Sequence, residues 1–167
     1  MLWRLSINAL GHLMQATLKR PVFTHTLWHQ CELVYSQNPN AYIQLQDSYH
    51  VNVNVLLLAQ YLDQQAFLLS AEQWQSLLGA IEKWEDSVLV PYRQLRRIAK
   101  RHLAEDEYQK MLDVELIMER KSQQFLLQKL HSIDEQPTSN STNTDSPSVS
   151  SNVNAYLSIY GLDDSAI

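Results

Sequence analysis

Glycine is scarce in this sequence: there are three in 167 residues, with five prolines and one cysteine. So few glycines nearly exclude a Gly-rich phosphate cradle, and no P-loop, G-x-S-x-G or dinucleotide fingerprint occurs. The same scarcity argues against a β-sandwich and suits long helices. The lone Cys31 excludes an intramolecular disulfide and a thiolate metal cluster, and it fits a reducing cytosol. Positive charge is not in excess either. A net charge of −5 gives no general attraction to nucleic acid or anionic membrane. No apolar run reaches the roughly 20 residues that cross a bilayer, and no internal repeat is visible.

What the chain has is one strongly apolar stretch, Val51 to Leu62 (VNVNVLLLAQYL). Its apolar residues point all round a helix, so it has no water face and predicts a central core helix over 52–64. The V-N-V-N-V opening also alternates as a strand would, but LLLAQYLDQQ is rich in helix formers and has no turn residue. Asn52 is placed to cap the helix start. Asn54 falls one turn inside; it either bonds a neighbouring helix and fixes packing, or lines a site.

Around that centre the pattern predicts a single-domain, all-α bundle of about six helices. Met1 to Arg20 can form an amphipathic helix that either covers a core face or stands apart from the core, the bundle spans 21–131, and Arg20-Pro21 separates them. Leu27 to Ser36 and the stretch after Asn38-Pro39-Asn40 read as short helices. Ser70 and Gln73 form a capping box. Helical spacing then runs from Trp74 to Leu89, and Pro91 is expected to end or kink it. Pro91 to Leu103 is a new helix. Glu105-Asp106-Glu107 suits the positive end of a long helix to about His131. Residues 132–151 are rich in Ser, Thr and Asn and read as a disordered linker. Residues 152–162 recover helical order, with Gly161 as C-cap, and are expected to dock on the bundle.

Two features can carry function. On Pro91–Leu103, the cations Arg96, Lys100, Arg93, Arg97 and Arg101 share one arc of about 140° at helical spacing. Tyr92, Leu95, Ile98, Ala99 and Leu103 take the opposite side. On the long helix, Glu115 and Glu119 sit in an apolar stripe with Tyr108, Leu112, Ser122 and Leu126. Buried carboxylates need partners, and a short connection makes the two helices antiparallel. Arg93 or Arg96 is therefore predicted to reach Glu115 or Glu119. That cluster is either a structural ion-pair network or, with Asn54, a polar pocket. The remaining basic face, Arg97, Lys100 and Arg101, is either solvated or an anion site. The histidines form no ligand motif, no E-x-x-H occurs, and no metal or cofactor is implied.

Several short pieces in order carry a resemblance: Leu27-Trp28 with Tyr35, Asn52-Val53-Asn54-Val55-Leu56-Leu57-Leu58, Trp84, Pro91-Tyr92-Arg93-Gln94-Leu95-Arg96-Arg97, Glu115 with Glu119-Arg120, and Asn154-Ala155-Tyr156-Leu157. With these the chain resembles a family of small bacterial all-helical proteins of unknown function, over roughly Leu27 to Leu130 plus the tail. The resemblance implies an all-α fold and a bacterial cytoplasmic setting, and carries no activity. The first 26 residues and the Ser/Thr/Asn segment lie outside it. Three functional classes stay open. The first is a non-enzymatic interaction or regulatory protein with a protein partner. The second is a small-molecule or anion binder, possibly an enzyme, using the Asn54–Arg93–Arg96–Glu115–Glu119 cluster. The third is nucleic-acid contact through the basic face.

Overall fold

The computed structural model describes residues 22–134 and 151–167. The N-terminal helix expected over 1–20 and residues 135–150 of the expected linker lie outside the described residues. Among those described, all regular structure is helical: α1 (Leu27–Gln37), α2 (Pro39–Tyr49), α3 (Val53–Gln64), α4 (Ala71–Trp84), α5 (Val90–Ala99), α6 (Glu105–Asp134) and the short α7 (Asn152–Leu157). The long helix α6 runs three residues beyond the expected boundary at His131.

Helix α3 is the centre. Val55, Leu56, Leu58, Ala59 and Leu62 have no exposed surface. Each of the valine and leucine side chains among them contributes about 1.5–3 kcal/mol by leaving water. Asn52 starts the helix as expected, its Oδ1 accepting from Val55 N at 3.3 Å. Helices α1 and α7 cover α3, while α4 packs on α6.

Helix α4 begins with the predicted capping box: Gln73 N donates to Ser70 Oγ at 3.2 Å, and Ser70 N donates to Gln73 Oε1 at 2.8 Å. The boundary at Pro91 takes a different form from a simple end or kink. The helical path continues from α4 through a π turn, Glu85–Leu89, into α5, and ends in a 3-10 turn at Lys100–His102. Proline lacks an N–H and its ring crowds the carbonyl four residues back. The wider π turn, in which Val90 N donates to Glu85 O, opens the helix there, and Pro91 enters α5 in its first turn, where no donor is required.

The C-terminal residues close the core. Tyr156 and Leu157 are fully buried, and Tyr156 stacks on Trp74 with ring centroids 5.8 Å apart. Asn152 is the fastening. Its Oδ1 accepts from Leu69 N (3.0 Å), and its Nδ2 donates to Asp63 Oδ1 and Phe67 O (both 2.8 Å). Asp63 also accepts from the backbone N of Asn152 (2.7 Å) and of Val153 (3.1 Å). One carboxylate thus satisfies two of the four donors left open at the start of α7. Gly161 ends the following turn at φ 70°, the left-handed conformation that glycine adopts without penalty.

Candidate functional site

Helices α5 and α6 run antiparallel; a tyrosine bond ties α5 to α6, and a tryptophan bond ties the end of α4 to α6. Tyr92 Oη donates to Met111 O at 3.0 Å, and Trp84 Nε1 donates to Met118 O at 3.2 Å. Between the helices lie Arg93, Arg96, Glu115 and Glu119. Arg93 Nε donates to Glu115 Oε1 (3.3 Å) and its Nη2 donates to Glu119 Oε1 (2.9 Å). Arg96 Nε donates to Glu115 Oε2, and its Nη1 donates to Tyr108 Oη at 2.6 Å. Burial works against the Arg96 charge, but the bond and charge of Glu115, helped by Tyr108, outweigh it and hold the guanidinium above its ordinary pKa. Arg96 is therefore permanently cationic.

The network extends to Glu85 and Ser122, which the sequence reading did not single out. Ser122 Oγ donates to Glu85 Oε1 at 2.6 Å, and Glu85 Oε2 stands 3.9 Å from Arg93 Nη1. Glu85 is 9% exposed and Ser122 fully buried. Three carboxylates therefore share two guanidiniums. The signal for Glu85 was the one that revealed Glu115: it falls between Ile81 and Leu89 in an apolar stripe, where a charge must find a partner. Among the described residues, Asn54 makes no hydrogen bond to the cluster. It accepts from Gln123 Nε2 at 2.9 Å and ties α3 to α6.

The predicted basic face divides. Arg97 pairs across an exposed gap with Asp47 of α2 at 3.0 Å, both side chains being more than half exposed. Lys100 lies over the Tyr108 ring, 5.4 Å from its centroid. Arg101 is exposed with no partner among the described residues. The apolar side of α5 divides too. Tyr92, Ala99 and Leu103 are half-buried, but Leu95 and Ile98 are 56% and 58% exposed. The inner position is taken by Arg93 and Arg96, because carboxylates from α6 and the π turn already occupy it. On α6, Val114 (40%) and Ile117 (64%) are exposed on the flank that carries Met111 and Met118. A depression of about 430 Å³ opens between the end of α4 and α6, lined by Trp84, Ile117, Met118, Arg120, Lys121 and Gln124.

Cys31 is buried in the core, its Sγ donating to Leu57 O at 3.6 Å. Burial pushes its thiol up to about 12, so it carries no thiolate for nucleophilic work. Tyr35 is also raised, by burial first and then by the charge of Glu119.

Fold and site together define an all-helical bundle protein centred on α3, with a largely buried Arg–Glu network between α5 and α6. The chain belongs to the DUF2390 family, described as a protein of unknown function, whose model matches residues 26–126. No curated protein and no solved structure matches the chain. Among the described residues, no helix is long and apolar enough to cross a membrane.

Proposed function

We propose that the protein is a non-enzymatic interaction factor that docks an amphipathic helix on the face shared by α5 and α6. One observation carries this reading. Helix α5 turns Arg93 and Arg96 inward and leaves Leu95 and Ile98 exposed, and α6 leaves Val114 and Ile117 exposed. Exposed large apolar side chains grouped on one face mark an interaction site more often than scattered ones do. The adjoining depression beside Trp84 offers an anchor pocket, and tryptophan is enriched among residues that dominate binding. Arg120 and Lys121 border it, so the partner helix that fits has an apolar stripe flanked by carboxylates. A bacterial cytoplasmic setting belongs to the same proposal, supported by the family resemblance and by a single, buried, free thiol.

The anion-site and nucleic-acid readings are weaker. Arg93 and Arg96 are engaged by carboxylates, Arg97 by Asp47 and Lys100 by Tyr108.

A photo-crosslinking residue placed at Ile117 in the native cell tests the proposal, with one at Leu33, exposed on α1, as control. The expected result is a discrete heavier adduct from position 117 that is lost with Ile98→Asp. Adducts indistinguishable from those of position 33 would sink the idea.

A further inference from the structure

An open cleft of about 810 Å³ lies between α2, the turn before α3, α4, the π turn, α5 and the C-terminal turns, within the size range of small-molecule sites (about 300–1,000 Å³). Two of its lining groups are charged and nearly buried: the Glu85 and Arg93 side chains are 11% and 15% exposed. A carboxylate offers about four acceptor positions, and buried polar groups are normally hydrogen-bonded. Glu85 Oε1 accepts from Ser122 Oγ at 2.6 Å. Its Oε2 accepts no hydrogen bond among the described residues and stands 3.9 Å from Arg93 Nη1, beyond hydrogen-bond length. Arg93 commits Nε to Glu115 and Nη2 to Glu119, which leaves Nη1 without an acceptor. Neither atom is sealed in, for among the described residues Trp74 Nε1 alone is both sealed and unbonded. A nearly buried acceptor and a nearly buried donor thus open side by side into the cleft.

That pair sets the chemistry of an occupant. An ammonium would meet the charge of Arg93, and an anion that of Glu85. A hydroxyl meets both favourably, because its one oxygen donates and accepts. Standing about 2.7–3.0 Å from each atom, it bridges their 3.9 Å separation, donating to Glu85 Oε2 and accepting from Arg93 Nη1. A single water fills one such position equally well; the rest of the wall suits several hydroxyls on one molecule. Tyr160 Oη lies 3.1 Å from Tyr156 Oη. Tyr156 is already engaged by the backbone N and O of Asn52, so Tyr160 keeps hydrogen-bonding capacity whichever tyrosine donates. Glu85 faces the same pair: burial first, then Tyr160, then the charge of Glu85 raise the Tyr156 hydroxyl above its ordinary pKa. Gln46, Gln75 and Gln94 also line the cleft, and their side-chain amides make no hydrogen bond among the described residues. Each amide both donates and accepts. Leu78 and Ile159 add apolar wall between these polar groups.

We infer that this cleft binds a polyhydroxylated small molecule, a sugar or sugar alcohol. One hydroxyl bridges Glu85 and Arg93, further hydroxyls meet Tyr160 and the glutamine amides, and the C–H faces lie against Leu78 and Ile159. Hydrogen bonds to the two ionised groups are of the stronger kind, so the bridging hydroxyl is the anchor. This site is separate from the apolar face of α5 and α6 and stands or falls independently of it.

The test is amide chemical-shift mapping on the full chain. The probes are methyl α-D-glucopyranoside, methyl α-D-galactopyranoside, D-ribose and D-mannitol, with n-butylamine and sodium acetate as charged controls that lack hydroxyls. The expected result is saturable shifts at Glu85, Gln94 and Tyr160 with at least one hydroxylated probe and with neither control. A response to mannitol alone assigns the site to an open-chain polyol; a response to the ring compounds alone assigns it to a cyclic sugar. Glu85→Gln, which keeps the shape and removes the charge, weakens binding roughly tenfold or more. Tyr160→Phe, which removes one half-buried hydroxyl, weakens it about three- to tenfold and serves as the test if Glu85→Gln does not fold. Leu33→Ala, on α1 away from the cleft, leaves affinity unchanged. Thermal melts of each variant show whether the fold is retained. No saturable shift with any hydroxylated probe up to about 100 mM would overturn the inference. So would an equal response to a charged control, or unchanged affinity in folded Glu85→Gln and Tyr160→Phe variants.

Discussion

Arg93 is the residue on which the interior polar network turns. It faces Glu85, Glu115 and Glu119 at once, and its side chain is 15% exposed. Desolvating ions costs more than most pairs return, but removing one partner strands the others. Arg93→Met is therefore expected to lose about 3–5 kcal/mol in urea denaturation. Arg97→Met breaks an ion pair whose side chains are 57% and 54% exposed, and is expected to change stability by no more than about 1 kcal/mol. Equal losses in the two variants would contradict the burial argument. The pairing of Arg93 and Arg96 with Glu115 and Glu119 was legible in the sequence, because a charge in a helical apolar stripe announces its need for a partner. The allocation of the cations was not legible. A helical wheel shows five cations on one arc and cannot say that two turn inward, since that depends on carboxylates supplied by a different helix.

At the scale of elements, α4 shows local rules and an exception in one helix. Its start follows the capping box that Ser70 and Gln73 spell out. Ser70→Ala is expected to cost about 1 kcal/mol, because two backbone donors lose their acceptors or their ordering. Gly79→Ala is expected to raise stability by about 0.5–1 kcal/mol, since the added Cβ meets open space. Both changes are read from equilibrium unfolding. The continuation through Pro91 was the element least legible beforehand. Proline predicts a disturbance of the hydrogen-bond ladder, and a π turn is one of several forms that disturbance takes. Which form wins is set by packing. Glu85 and Leu89, at the two ends of the turn, are both held in the interior.

For the whole molecule, the fastening of α7 is decisive and had no sequence signature. Asp63 and Asn152 are 89 positions apart, and neither stands in a motif. The Ser-to-Asn change in composition gives the end of the bundle, and Val153, Tyr156 and Leu157 give the apolar face of the tail, but not its seat on α3. Asn152→Ala leaves Leu69 N without its acceptor and Asp63 with fewer donors. The expected loss is about 2–4 kcal/mol, at one buried unpaired group per 1–3 kcal/mol, measured as a shift in the urea midpoint at unchanged slope. A changed slope instead would mean that the tail detaches separately from the bundle. The position of this fastening also has a consequence for how the protein is made. The central helix, apolar on every side, is synthesised long before α7, one of its two covers, and Tyr156 meets Asn52 across 104 positions. Contacts so distant in sequence form late, because the intervening loop must close first. The nascent chain therefore carries part of its most adhesive surface uncovered until α7 has emerged. A prematurely terminated product advertises its own incompleteness to chaperones and proteases through that same helix.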